Sequence, residues 1–149
     1  MDTLEKPKYD HDFVLWLEFQ AKLLRQGRVG ELDLENLAEE VESIGRSDRR
    51  EVQNRLTVLL AHLLKYQFQA KRRSRSWRVT IDEQRRQLEL VFNDSPSLLK
   101  SYALTIFDDT YQYARRRVSV ETRLNSEAFP ETCPYTLAQV LDEDFFPEG

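Results

Sequence analysis

The chain has 149 residues, of which 40% are hydrophobic and 32% charged, with a net charge of −4, four glycines, five prolines and a single cysteine. That length suits one domain with a real core, and so few chain breakers among so many helix-compatible polar groups favour long helices over a turn-rich β fold. The acidic balance argues against a generic polyanion binder, and the lone Cys133 excludes an internal disulfide.

In chain order, the opening MDTLEKPKYD lacks the apolar stretch of a signal peptide, and no run approaches the roughly 18 apolar residues of a membrane span. A cytoplasmic protein without membrane contact is therefore expected. Asp10 is placed to cap a first helix reaching about Arg25, with Phe13, Trp16, Leu17, Gln20 and Leu24 on one face. Gly27 and Gly30 end it. Asp33 caps a short second helix whose Leu34, Leu37, Val41 and Ile44 step by 3, 4 and 3 residues, with most glutamates on the other side. Gly45 is expected to stop or kink that helix, and Ser47 to cap the next. There Val52, Leu56, Leu59, Leu63, Tyr66 and Ala70 form one stripe, with Leu60, Leu64 and Phe68 beside it. The segment KRRSRS reads as a connection. The following helix begins near Ser76 or at Thr80, where Thr80 and Glu83 fit a capping box, and turns Trp77, Ile81, Leu88 and Phe92 inward. Ser95 and Pro96 open a further helix running into the 120s, with Ala103, Phe107, Tyr111, Ala114 and Val118 on one face. Pro130 and Pro134 bracket an extended piece, and a last helix from Thr136 buries Leu137, Val140 and Leu141. The ends, about 1–8 and 145–149, are expected to be loosely held. The whole predicts an all-α, single-domain bundle of five or six helices around a central hydrophobic helix at about 48–70, with residues 1–149 in one domain.

The charges are unevenly spread. Residues 31–51 carry eight acidic residues against three arginines, and residues 65–86 carry eight basic residues against Asp82 and Glu83. Lys65, Arg78 and Arg85 could simply answer the glutamate-rich helix, and Arg46, Arg49 and Arg50 could pair with its glutamates.

Three groups of side chains are candidates for chemistry. His62 with Glu39 and Glu40 could form a carboxylate and imidazole site, although a hydrogen-bonded structural histidine and a solvated acidic face explain the same residues. The run lacks the Glu-x-x-His pair of di-iron bundles, and with His11 the only other histidine no zinc spacing exists, so no metal is expected. The cations Lys71, Arg72, Arg73, Arg75 and Arg78 beside Trp77 have a composition that contacts phosphates and stacks a base. No helix-turn-helix, zinc-finger or RNA-recognition pattern accompanies them. Cys133 has no base near it in sequence, and the glycines form no phosphate loop, so no cofactor is expected.

The ordered segments NLAEEVESIGRSDRREVQNRL, HLLKYQFQ, SWRVTI, NDSPSL and FPETCPYTLAQVLDEDFFP resemble the bacterial family known as domain of unknown function 29. The resemblance runs from about Tyr9 to Pro147, with Tyr66 where an aromatic, often Trp, is usual and Ala70 where Pro is common. It implies a small all-helical domain and lends no catalytic residue. Together these features point to a non-enzymatic helical domain that works through a protein partner or as a homo-oligomer. Nucleic-acid binding through Lys71 to Arg78 and an enzyme built on Glu39, Glu40 and His62 are the alternatives.

Overall fold

The computed structural model describes residues 6–148, and every regular element among them is helical. The chain divides into two compact units, Met1–Ser47 and Asp48–Gly149.

In the first unit, α1 covers Phe13–Arg25. Its cap is Asp12, whose carboxylate accepts the Leu15 N–H at 3.1 Å, and not Asp10 as the sequence suggested; the helix starts two residues later than that choice would place it. Lys22 and Arg25 in its last turn sit favourably at the negative end of the helix dipole. The helix closes through Gly27, whose φ of 69° is left-handed, while the Gly27 and Arg28 N–H groups return to the carbonyls of Leu24 and Leu23. A short 3-10 turn, Val29–Glu31, then leads to α2, Leu34–Phe68. Asp33 does cap this helix, accepting the Asn36 N–H on its carboxylate and the Leu37 N–H on its carbonyl.

Within the first unit the two helices run antiparallel, since the indole of Trp16 donates to Asp33 and the hydroxyl of Tyr9, seven residues earlier, donates to Glu40, seven residues later. Trp16, Gln20 and Leu23 are the buried residues of α1. Phe13, Leu17, Leu24, Leu34, Val41 and Ile44, whose spacing puts them on the apolar faces of their helices, are exposed.

Gly45 neither stops nor kinks α2 enough to divide it, and Ser47 caps nothing; both lie inside a helix of 35 residues. One glycine costs about 1 kcal/mol relative to alanine. The good helix formers on either side outweigh that.

In the second unit α2 supplies Val52, Leu56, Leu59, Leu60, Leu63 and Leu64, each fully buried. The predicted central helix is thus the distal half of a longer one. After the 3-10 turn Ala70–Arg72, α3 spans Arg75–Asp94, capped by Ser74, whose hydroxyl accepts the Trp77 N–H at 3.3 Å. The Thr80 capping box is unused because the helix has already begun. Ile81, Leu88 and Phe92 are buried, and Trp77 is half-buried. Ser95 breaks the chain and Pro96 reopens it, as the sequence indicates. A π-helical stretch, Leu98–Ala103, which the sequence does not reveal, then leads into α4, Leu104–Thr122. The wider π turn seats Leu98 and Ala103 in the core that Tyr111, Ala114 and Val118 continue. Last comes α5, Leu137–Leu141, held by a reciprocal capping box between Thr136 and Gln139.

The tail beyond α5 is not loosely held. Phe145 and Phe146 pack against the core, and Pro147 is buried. The predicted loose end at 145–149 fails for these residues because α3 provides a specific seat for them. The predicted loose end at 1–8 falls mostly on residues 1–5, outside those described.

Candidate functional site

Glu39 and Glu40 lie in the first unit. Glu40 accepts the Tyr9 hydroxyl, and that bond is the main reason the phenol is pushed up to about 12. Glu39 pairs with Arg46 at 2.7 Å, and Arg46 also approaches Glu42 at 3.8 Å. Of the three arginines expected to answer the acidic run, Arg46 is the one seen to do so within this unit. The nearby carboxylate of Asp33 accepts bonds from the Asn36 amide and the Trp16 indole, which hold it below the usual range despite partial desolvation.

His62 lies in the second unit. Its Nδ1 donates to the Val58 carbonyl at 2.9 Å, one turn back on α2, leaving Nε2 as the acceptor. Burial lowers its pKa, against the raising effect of that hydrogen bond, so the ring is neutral at pH 7. The charges around it are Lys65, Glu121 and Arg117, and these satisfy one another: Glu121 takes Lys65 and Arg117, each at 2.9 Å. A neutral imidazole with a free Nε2 has the protonation state of a base. Its one hydrogen bond, however, goes to backbone, so no carboxylate orients it. Among the described residues no group of three or more His, Cys, Asp and Glu side chains could hold a metal ion. Burial pushes the Cys133 thiol up to about 11, opposite to the direction that activates a nucleophile.

The basic segment divides into two sets. Arg73 donates to the Tyr66 carbonyl at 2.6 Å and lays its guanidinium over the Tyr66 ring at 4.3 Å. Arg78 lies over the Phe146 ring at the same separation. Both are therefore engaged in holding the fold. Lys71, Arg72 and Arg75 are exposed around the start of α3. Lys65 lies 5.6 Å from the Trp77 ring, so the indole is partly covered on that side.

Arg85 was read as one of the cations that could answer the glutamate-rich helix, and this is corrected. It is buried, and donates to the carbonyls of Val140 at 2.8 Å, Glu143 at 3.5 Å and Phe145 at 2.7 Å. Its place in the series 81, 85, 88, 92 on the buried face of α3 is the signal that could have found it. Lys65 and Arg78 likewise find their partners, Glu121 and Phe146, inside the second unit.

The surface that sequence reasoning missed is in the first unit. Leu34, Val41 and Ile44 are 63%, 67% and 63% exposed. Phe13, Val14, Leu15, Leu17, Leu24 and Val29 of the same unit are exposed as well. Nine large apolar side chains uncovered within 47 residues are far more than scattered surface leucines, and such concentrations mark contact surfaces.

A family model described as Domain of unknown function DUF29 matches residues 8–146. The chain belongs to this family. The match covers nearly the whole chain, both units of the DUF29 protein included. No curated protein and no solved structure matches it. Among the described residues no helix is long and apolar enough to cross a membrane.

Proposed function

We propose that this DUF29 protein is a non-enzymatic helical domain that works through protein contacts, and that its first unit provides the contact surface. The observation that carries the reading is the uncovered apolar surface of that unit, centred on Leu34, Val41 and Ile44. Water gains nothing from these side chains, and a partner that covers them would supply the hydrophobic free energy of a specific interface. The cytoplasm, where the single unpaired Cys133 would remain reduced, is the compartment consistent with this role.

A photo-crosslinking residue placed at Val41, with the still more exposed Val120 of α4 as control, tests the reading in cells. A discrete protein adduct at position 41 and none at 120 supports it. Identical patterns at the two positions would remove it.

The nucleic-acid alternative is weaker, because Arg73 and Arg78 are occupied by Tyr66 and Phe146 and only Lys71, Arg72 and Arg75 are left to meet phosphates. The enzymatic alternative has its carboxylates committed to Tyr9 and Arg46, with His62 bonded to backbone.

A further inference from the structure

In the second unit, α2 and α4 run parallel along a polar cleft. Lys65 donates to Glu121 at 2.9 Å, and Gln53, earlier on α2, lines the same cavity as Asp109, earlier on α4. The separations from 53 to 65 and from 109 to 121 are equal and run in the same direction, which sets the two helices side by side for about three turns. Two cavities open there, of about 500 Å³ and 400 Å³, and Gln53 and Tyr113 line both. Asn54, Thr57, Val58 and Arg117 complete the larger one. Asp109, Gln112 and Arg116 lie in the smaller. Both volumes fall in the range of small-molecule sites.

The fold makes little use of the polar groups around the larger cavity. Among the described residues, the carboxamides of Gln53 and Asn54 and the hydroxyl of Tyr113 have no hydrogen-bond partner in the protein. Arg117 commits its Nε to Glu121 at 2.9 Å, which leaves its two terminal nitrogens open. Thr57 donates its hydroxyl to the Gln53 carbonyl, so its oxygen can still accept. Tyr113 is 55% exposed, with the Arg116 guanidinium 5.9 Å from its ring centroid. Charge is uneven along the cleft. Lys65 and Arg117 stand against Glu121 alone at one end, an excess of positive charge beside a neutral His62, whereas Asp109 and Arg116 balance at the other.

We propose that this cleft binds a purine nucleotide, with the base on the Tyr113 ring, the base edge on the carboxamides of Gln53 and Asn54, and the phosphate on the open nitrogens of Arg117. A carboxamide sets donors beside an acceptor, the pattern that a purine edge presents in return. An uncovered aromatic ring supplies a stacking platform for a base. A guanidinium meets phosphate oxygens with parallel, charge-assisted hydrogen bonds. The carboxylate of Asp109 disfavours phosphate in the smaller cavity, so the anion is directed to the Arg117 end. This site lies in the second unit and is independent of the protein-contact reading, which concerns the first.

The test uses the full chain, with binding of AMP, GMP, adenosine and inorganic phosphate read by calorimetry. AMP or GMP should bind, more weakly as salt rises, and adenosine and inorganic phosphate should each bind at least about tenfold more weakly than AMP. Tyr113→Ala should reduce nucleotide affinity by about tenfold or more through loss of stacking. Arg117→Met should weaken AMP and leave adenosine unchanged, and Gln53→Leu with Asn54→Leu should weaken both. None of these side chains is buried, so thermal unfolding should confirm intact folding in each variant. Failure of both nucleotides to bind at millimolar concentration, or affinities indifferent to the three variants, overturns the proposal. Inorganic phosphate bound as tightly as AMP would reduce the cleft to an anion contact, and adenosine bound as tightly as AMP would remove the phosphate from the assignment; either result also overturns it.

Discussion

The indole of Trp16 donates to Oδ2 of Asp33 at 3.0 Å, and the Asp33 N–H donates to the Gln20 side chain at 2.9 Å, so one aspartate fastens α1 to the start of α2. The same carboxylate receives the Asn36 amide.

Asp33→Ala should accordingly remove a cap and an inter-helix bond together, lowering the stability of the first unit by about 1–2 kcal/mol. Of the two tryptophans in the chain, Trp16 is buried. Its emission should shift to the red in the variant at denaturant concentrations where the wild-type spectrum is unchanged. An unaltered Trp16 environment would show that packing alone holds the hairpin.

Arg85→Met should be among the most damaging substitutions in the second unit. It leaves carbonyls of the 140–145 segment without their donor, at a cost of about 2–4 kcal/mol in chemical denaturation. Arg85→Lys keeps the charge but loses the planar fork that reaches several carbonyls at once, so it should recover only part of the loss. Full recovery by lysine would mean that charge, not hydrogen-bond geometry, matters here.

Alkaline pH should destabilise the second unit. Burial pushes Cys133 up to about 11 and Tyr111 up to about 12, and raises Tyr135 as well. For groups with raised folded pKa, the folded state keeps protons that the unfolded chain has released. The stability they contribute is therefore complete below the unfolded values, near 9 and 10, and is lost as pH rises through the folded ones. The urea midpoint should be flat from pH 7 to about 8.5 and fall above about 9, and Tyr111→Phe should make that fall shallower. The tyrosine also donates to the Pro130 carbonyl at 2.5 Å, so the variant should start from a lower midpoint at neutral pH.

His62 should act in the opposite range. Its folded pKa is depressed by burial, so the unfolded chain takes up a proton first as pH falls below the ordinary value of 6.5. The contribution of neutral His62 is present above that value and is lost on acidification. His62→Asn should flatten the dependence of the urea midpoint between pH 7 and about 5.5. NMR titration should place the His62 midpoint below 6.5, and a midpoint above it would contradict the burial seen here.

Much of this fold is legible from side-chain spacing. The stripe from Val52 to Leu64, the Ser95–Pro96 break, the series Ala103, Tyr111, Ala114, Val118 and the start at Thr136 all lie where local chemistry puts them. Three features were not legible, each for a physical reason. Gly45 signals a break by propensity, but a single unfavourable residue is overridden by the helix on either side of it. The π stretch at Leu98–Ala103 depends on how the turn after Pro96 meets the core, which no local pattern encodes. Arg85 looks like any surface arginine until carbonyls more than fifty residues away arrive to accept its protons. The candidate site was harder still. The spacing of Leu34, Leu37, Val41 and Ile44 correctly indicates an amphipathic helix, but spacing does not say whether the apolar side is covered.

The distance in sequence between Arg85 and its acceptors also bears on how the chain acquires its structure. During synthesis α3 emerges with a guanidinium destined for the interior, and for the next fifty-five residues nothing that will accept from it has been made. Such a long-range closure comes late and slowly compared with helix formation. A chain lacking the residues from Val140 onward would leave Arg85 without these acceptors and dependent on water, so the closing of this core waits on residues 140–145.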